Sequence, residues 1–291
     1  MKKLAVLGHP IGHTLSPLMH NASIKALGLE SEYEYSKLDV APDDLMERLA
    51  QFPAEGYAGV NLTIPLKEVA FQGLAYLDVS AKTLGAVNTV EFSENGPIGH
   101  NTDGYGCLKA LEEAFGKTAE GDSVFILGCG GAGRAVALMV ALDGAKAVTL
   151  ADIDAERVAN LAAEIHERAP DVEIIQSVGG GSASFQCLEK SEQVEKCRAA
   201  DLVIQASPVG MKKDDPSLMP PEAFREGQRV FDLIYMYPET ALLSIAKAQG
   251  ALVANGLGML LHQGAKAFEI WTGIQPDVAA MRAALEEAVY S

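Results

Sequence analysis

The chain has 291 residues, 48% of them hydrophobic and 21% charged. That length exceeds what one hydrophobic core comfortably fills and points to two domains, while the composition excludes wholesale disorder and fibrous architectures. With 23 basic against 39 acidic residues the net charge is -16, a field that repels a phosphate backbone and excludes nucleic acid as a partner.

A small anionic ligand must then be held by local hydroxyls, backbone amides or one specific lysine. The longest apolar runs, at 4–7, 124–127 and 257–261, fall far short of the roughly 18 residues that cross a bilayer. Lys2 and Lys3 precede no signal core, so neither a membrane span nor export is expected. Cys107, Cys129, Cys187 and Cys197 form no CxxC pair. Structural zinc and a disulfide framework are therefore not expected, and a reducing cytoplasm fits.

In chain order, 3–7 reads as a buried strand entering a Gly/Pro turn, and 16–27 as a helix. A strand at 32–38, a helix at 42–52 and a strand at 59–64 follow, with a further helix from Pro65. Strands at 86–92 and 98–101 flank Ser93-Glu94-Asn95-Gly96, where Asn-Gly signals a hairpin. The first half is thus α/β, mostly parallel with one antiparallel excursion. A helix at 105–115 and the polar stretch 117–122 form the expected joint.

Beyond it lie a strand at 123–127, the loop Gly128-Cys129-Gly130-Gly131-Ala132-Gly133, and an apolar helix from Arg134 to 142. A strand at 147–151 then ends in Asp152, ahead of a helix at 154–168. This is a complete βαβ unit. Later strands read at 172–177, 202–205, 230–233 and 252–254. Residues 179–184 read as a mobile glycine-rich surface loop, and 257–290 as helix broken near 273–276.

The GxGxxG pattern of Gly128, Gly130 and Gly133 sits between a strand and a helix, where backbone can approach a pyrophosphate and the helix N-terminus stabilises its charge. A tight turn without ligand would use the same glycines. Asp152, at the end of the next strand, would accept hydrogen bonds from ribose hydroxyls, whereas the extra phosphate of NADP would meet it as a like charge. Asp154 adds to that repulsion, and Arg157, one helical turn on, reads as facing solvent. NAD is favoured over NADP; Asp152 also reads as a helix N-cap.

In the first half, His13-Thr14-Leu15-Ser16-Pro17 offers two hydroxyls ahead of a helix. Ser16 before Pro17 reads as an N-cap, a role compatible with donating its proton to a carboxylate. Lys67 falls in a helix's first turn, where the macrodipole opposes a cation, so a partner should hold it there. The same field, with partial burial, would suit it to proton transfer; a solvated surface lysine is the plainer reading. Asn61 and Thr63 alternate on one side of a strand. Asp103 closes Asn101-Thr102-Asp103-Gly104 and reads either as a turn former or as the lysine's orienting partner.

Thr14-Leu15-Ser16-Pro17, Asn61-Leu62-Thr63-Ile64-Pro65-Leu66-Lys67, Gly85-Ala86-Val87-Asn88-Thr89, Asn101-Thr102-Asp103-Gly104, the glycine loop and Gly256-Leu257-Gly258-Met259-Leu260-Leu261-His262-Gln263 occur in an order that resembles the shikimate dehydrogenase family over nearly the whole chain. The resemblance implies a substrate-binding and catalytic domain at 1–104, with helices 259–291 packing back on it, and a Rossmann cofactor domain at 105–258. It implies reversible hydride transfer between shikimate and 3-dehydroshikimate, as in the shikimate pathway of aromatic amino acid biosynthesis.

By the same resemblance Lys67 and Asp103 are the catalytic pair. Thr14 and Ser16 bind the ring carboxylate, Asn61, Thr63, Asn88 and Gln263 contact ring hydroxyls or the carboxylate, and Tyr235 lines the cleft. The cofactor residues are Gly128, Gly130, Gly131, Ala132, Gly133, Asp152, Gln205, Ile234, Gly256 and Met259. No metal is implied, and the state is monomer or homodimer. Three departures stand out: Asp152-Ile153-Asp154 replaces the Asn-Arg-Ser/Thr triplet typical of NADP-using members, Thr14 replaces a serine, and Gln205 replaces an asparagine. The first resembles the NAD-using quinate/shikimate branch, so a catabolic quinate dehydrogenase is one alternative. A non-catalytic nicotinamide-binding sensor is another.

Overall fold

The computed structural model describes residues 1–12, 14–178 and 191–290. His13, Cys187 and the expected 179–184 loop lie outside them.

The elements begin with β1 (Lys2–Gly8), α1 (Ser16–Ala26), β2 (Tyr33–Asp39), α2 (Leu45–Gln51), β3 (Tyr57–Leu62), α3 (Leu66–Gly73), β4 (Tyr76–Leu77), α4 (Val79–Leu84), β5 (Thr89–Ser93), β6 (Gly96–His100) and α5 (Asp103–Phe115). They continue with β7 (Ser123–Leu127), α6 (Gly131–Leu142), β8 (Ala147–Asp152), α7 (Ala155–Arg168), β9 (Glu173–Val178), α8 (Ser191–Ala199), β10 (Leu202–Gln205) and β11 (Arg229–Asp232). The last are α9 (Ala241–Ala248), β12 (Leu252–Asn255), α10 (Leu257–Thr272) and α11 (Val278–Tyr290). The chain divides into two compact units, one of Met1–Gly106 with Leu260–Ser291, the other Cys107–Met259.

The first unit is built on a sheet of order β2-β1-β3-β5-β6-β4. β1 pairs parallel with β2 and β3, while β3–β5 and β5–β6 are antiparallel. β1 is apolar from Leu4 to Leu7, where it is covered on both faces. Ala5 and Leu7 enter a cluster with Val60, Leu62, Phe52 and Leu66; Leu4 and Val6, pointing the other way, join Tyr35, Phe268 and Trp271. α10 reaches the sheet closely because Gly59 leaves room: a Cβ there would lie 2.0 Å from the Trp271 ring. The indole Nε1 donates to the Val90 carbonyl at 3.0 Å.

Within that second cluster His20 of α1 is fully buried, stacked on Tyr35 at 4.1 Å between ring centroids with 6° between planes. Neither ring nitrogen has a hydrogen-bond partner, and burial drives its pKa down to about 3. Between the ordinary value of about 6.5 and that lowered value the unfolded chain takes up a proton that the folded chain refuses. This contribution to stability is therefore present above pH 6.5 and lost as pH falls, by about 1.4 kcal/mol per unit. His20→Phe keeps the stacking and removes the titration. Urea titrations followed by the fluorescence of Trp271, the chain's one tryptophan, should show the gap between variant and parent moving about 2–3 kcal/mol in the variant's favour from pH 7 to pH 4.5. A constant gap would mean that His20 titrates normally.

The second unit holds an all-parallel sheet of order β12-β11-β10-β7-β8-β9. This is the doubly wound order of a dinucleotide-binding fold, with its switch point between β7 and β10. Three helices and a strand escaped the periodicity reading. β4 has two residues and α4 six, too short to show a period, although Asp78 caps α4 through the Ser80 amide and Gly85 ends it at φ 63°. α9 is capped by Thr240, and α8 lies in what reads as an irregular insert. Residues 42–44 form a separate 3-10 turn ahead of α2.

Candidate active site

The hydroxyl pair comes first along the chain. Leu15, at φ -94° and ψ -4°, is the N-cap of α1, which no side chain caps. Ser16 is therefore the first residue inside the helix, one position past the cap, and the capping role expected of it does not hold. Instead the Thr14 hydroxyl donates to Ser16 Oγ at 3.2 Å and accepts from the Ser16 amide at 3.3 Å.

Lys67 is the second residue of α3, whose N-cap, Pro65, offers no side-chain bond. The partner demanded by its unfavourable place on the macrodipole is Asp103: Nζ donates to Oδ2 at 2.7 Å. Their side chains are 30% and 16% exposed, open to a small ligand yet partly shielded from water. Asp103 opens α5, where a carboxylate is favoured, and its amide donates to Asn101 Oδ1 at 2.9 Å.

Strand register assembles the rest. Asn61 stands opposite Thr89, and Thr89 opposite His100, so three strand ends converge. Asn88 Nδ2 lies 2.9 Å from Asp103 Oδ1, 2.9 Å from Thr102 Oγ1 and 3.4 Å from Gln263 Oε1. It thus grips the carboxylate oxygen that Lys67 does not use. Gln263, on α10, donates to the Leu260 carbonyl at 2.9 Å. Asn61, buried at 5% exposed, donates to the Asn88 carbonyl at 3.2 Å and Thr89 Oγ1 at 3.0 Å. Thr63 is half-buried just past β3, its amide on the Leu7 carbonyl at 2.9 Å.

In the second unit the three glycines divide the work. Gly128, at φ 97°, turns the chain, and a Cβ on Gly133 would lie 1.9 Å from the Gly128 carbonyl oxygen. Around Gly130 and Gly131 a Cβ would meet nothing within 4 Å. Gly130 caps α6 without a side-chain bond, so the first-turn amides face open space in which a pyrophosphate fits.

Asp152 is anchored here too, Oδ2 accepting from the Cys129 amide at 2.6 Å and Oδ1 from the Asp154 amide at 2.9 Å. The helix cap of α7 is Asp154, not Asp152. Asp154 also pairs with Arg157 at 3.2 Å, so that cation is already engaged. The Cys129 thiol registers the local field: burial first, and the Asp152 charge second, push its pKa to about 12.

Gln205 departs from expectation. At 1% exposed, its amide donates to the Ser207 and Val209 carbonyls and accepts from the Ser207 amide. A primary amide with three of its four hydrogen-bonding positions on backbone groups braces its own loop. Asp232, which the sequence did not single out, holds the segment carrying Ile234 and Tyr235. Its carboxylate accepts from the Ile234 amide at 3.0 Å and the Thr240 hydroxyl at 2.6 Å, and burial raises its pKa to about 6. Tyr235 is half-buried, its phenol pushed up by desolvation. Gly256 lets its turn close on that segment, since a Cβ would lie 2.1 Å from the Leu233 carbonyl oxygen. Met259 lies at the start of α10, at the edge of this unit.

Residues 6–90 match the family described as shikimate dehydrogenase substrate binding domain, and 256–286 the Shikimate 5'-dehydrogenase C-terminal domain. A shikimate dehydrogenase (NADP(+)) of Methanopyrus kandleri is 40% identical over 98% of this chain and 94% of its own length. The chain belongs to the shikimate dehydrogenase family. Two solved family structures superpose closely. The Listeria monocytogenes shikimate 5-dehydrogenase with shikimate and NAD gives a TM-score of 0.88 at 33% identity, covering 98% of this chain and 96% of that one. The Corynebacterium glutamicum quinate dehydrogenase with NAD gives 0.85 at 30%, covering 98% and 99%.

Membership makes the chain a nicotinamide-dependent oxidoreductase acting on a secondary alcohol, which sets the sensor alternative aside. Relatives at 40% identity are named for shikimate, so the quinate alternative is not favoured. Among the described residues no helix is long and apolar enough to cross a membrane.

Proposed function

We propose that this chain interconverts shikimate and 3-dehydroshikimate and prefers NAD. The observation that carries the reaction is the Lys67–Asp103 pair at 2.7 Å, its free carboxylate oxygen gripped by Asn88. A cation held at that point can give a proton to an alkoxide forming at a ring carbonyl, and in oxidation take it back from the hydroxyl. Asp103 keeps the lysine oriented, Asn88 and Gln263 are read as the partners of ring hydroxyls, and Thr14 and Ser16 as the donors to the ring carboxylate. When bound, the nicotinamide supplies or accepts the hydride. The open amides of the Gly130 turn and the first turn of α6 would hold its pyrophosphate.

The cofactor preference rests on Asp152. Its carboxylate is pinned by two amides and still has lone pairs for ribose hydroxyls. A 2′-phosphate would meet that charge with Asp154 beside it and Arg157 already paired. Relatives named for NADP(+) argue the other way; the local charge is what supports the reading of NAD. The three described cysteines are buried free thiols, in keeping with a cytoplasmic setting.

A four-way assay of shikimate and quinate, each with NAD and NADP at one ionic strength, tests both parts. Shikimate with NAD should give the highest kcat/KM, at least about tenfold above shikimate with NADP, the ratio that about 1.4 kcal/mol of charge repulsion produces. Faster turnover with NADP would overturn the reading of Asp152. No turnover of shikimate with either cofactor would overturn the reaction.

A further inference from the structure

Lys67 and Asp103 meet at their side-chain tips but stand on separate helices, so the span between their backbones has to be fixed by something else. Asn101, buried at 4% exposed, bridges it. Its Oδ1 accepts from the Asp103 amide at 2.9 Å, and its Nδ2 donates to the Ala86 carbonyl at 2.9 Å. The next residue, Val87, donates from its amide to the Lys67 carbonyl at 3.1 Å. With Lys67 Nζ on Asp103 Oδ2, the circuit closes: lysine, carboxylate, Asn101, the 86–87 turn and back to the lysine.

The backbone of Asn101 is itself fastened. Its amide donates to Ser80 Oγ at 3.0 Å, and the Ser80 hydroxyl and amide both donate to Asp78 Oδ1, at 2.6 and 2.9 Å. Each proton in this set is used once. The single hydroxyl proton of Ser80 goes to the carboxylate, which only accepts, and the hydroxyl oxygen is left to receive the Asn101 amide. The Asp78 amide returns to the Gly99 carbonyl at 2.8 Å, two residues before Asn101. Both ends of α4 therefore meet Asn101: Ser80 beside the cap holds its backbone, and Ala86, directly after the Gly85 turn, takes its side chain.

We propose that Asn101 is a positioning residue for proton transfer, its side chain setting the span between the backbone of Asp103 and the turn that holds Lys67, with Ser80 as its anchor. The inference rests on the reading of Lys67 and Asp103 as the proton-transfer pair. An asparagine often starts a helix by an Asx turn to the amide two residues on, and the bond to the Asp103 amide does that here. The contact at the other end of the same side chain, Nδ2 on Ala86, is one that no helix start requires. Asn88 and Asn101 thus divide the work. Asn88 grips the Asp103 carboxylate directly, and Asn101 fixes the backbone from which that carboxylate extends. Misplacing a reacting group by about 1 Å can cost about a hundredfold in rate, so a strut at this point acts on kcat rather than on binding.

Asn101→Ala removes the strut, and Ser80→Ala, at a half-buried position, removes only its anchor. With shikimate, kcat should fall about tenfold in the first and about threefold in the second, the range of one lost hydrogen bond. The KM values for shikimate and cofactor should stay within about twofold of the parent. The solvent deuterium isotope effect on kcat should rise in both variants, because a misaligned proton transfer limits turnover more fully. Ser80→Thr keeps the hydroxyl and should match the parent; a loss equal to that of Ser80→Ala overturns the anchor. In a cycle with Asp103→Asn the effect of Asn101→Ala on kcat should largely vanish, since the charge being placed is already gone; full additivity overturns the proposal. A merely structural residue would lower the urea midpoint and leave kcat per folded molecule and the isotope effect at their parent values. That result in the folded Ser80→Ala protein overturns the proposal too, whether or not Asn101→Ala folds. A parent that turns over no shikimate overturns the reading of the pair and this proposal with it; an active parent matched by both alanine variants overturns only the part given to Asn101.

Discussion

Lys67→Ala is expected to lower turnover by about two to four orders of magnitude, the usual size of one positioned acid-base group, while cofactor affinity stays near that of the parent. On the proposed assignment the lysine carries the proton, and its removal leaves Asp103 facing Asn88 with no proton to pass on. Single-turnover rates and substrate KM should be measured together. A loss confined to KM would make Lys67 a binding residue and return proton transfer to solvent. Asp103→Asn keeps the hydrogen bond to Asn88 and removes the charge that orients the ammonium, so a smaller loss in the same parameter is expected from it.

Asp122→Ala is expected to destabilise the second unit by about 3–5 kcal/mol, the cost of leaving a buried partner charge uncompensated. Asp122 pairs with Arg229, and both side chains are only 7% exposed. Lys117 donates to Asp122 Oδ1 at 2.6 Å. Arg229 in turn donates to the Thr118 carbonyl at 2.8 Å and lies over the Phe115 ring, and desolvation lowers its pKa. These contacts tie the segment after α5 to β7 and β11. Urea titration by circular dichroism measures the loss. Replacing both partners by apolar residues of similar volume should recover most of it, because an apolar pair carries no desolvation penalty. A single variant within 1 kcal/mol of the parent would show that water already screens the pair.

The sequence was most informative where local geometry and chemistry coincide. The strand–glycine loop–helix at 123–142 needs φ beyond +20° at Gly128 and close contact at Gly133, requirements that only glycine meets, so the residues announce the turn wherever it lies in the fold. Lys67 was readable for a related reason: a cation in a helix's first turn is a local conflict, and the conflict demanded a partner. The residues offered Asp103 as that partner only beside a plainer turn-forming reading, and the resemblance chose between them, since Lys67 and Asp103 lie on α3 and α5 with four other elements between them in the chain.

Strand periodicity and turn residues alone determine that this is a two-part α/β protein with a nucleotide-binding βαβ unit. Which polar side chains face a ligand and which are spent on the protein itself was decided by the tertiary structure. Asn61 turned inward to Thr89 and Asn88, Gln205 closed on its own loop, and Leu15 displaced Ser16 from the cap. An amide or hydroxyl has several possible partners, and the choice follows from strand register and helix packing set by residues far along the chain, which no local pattern records.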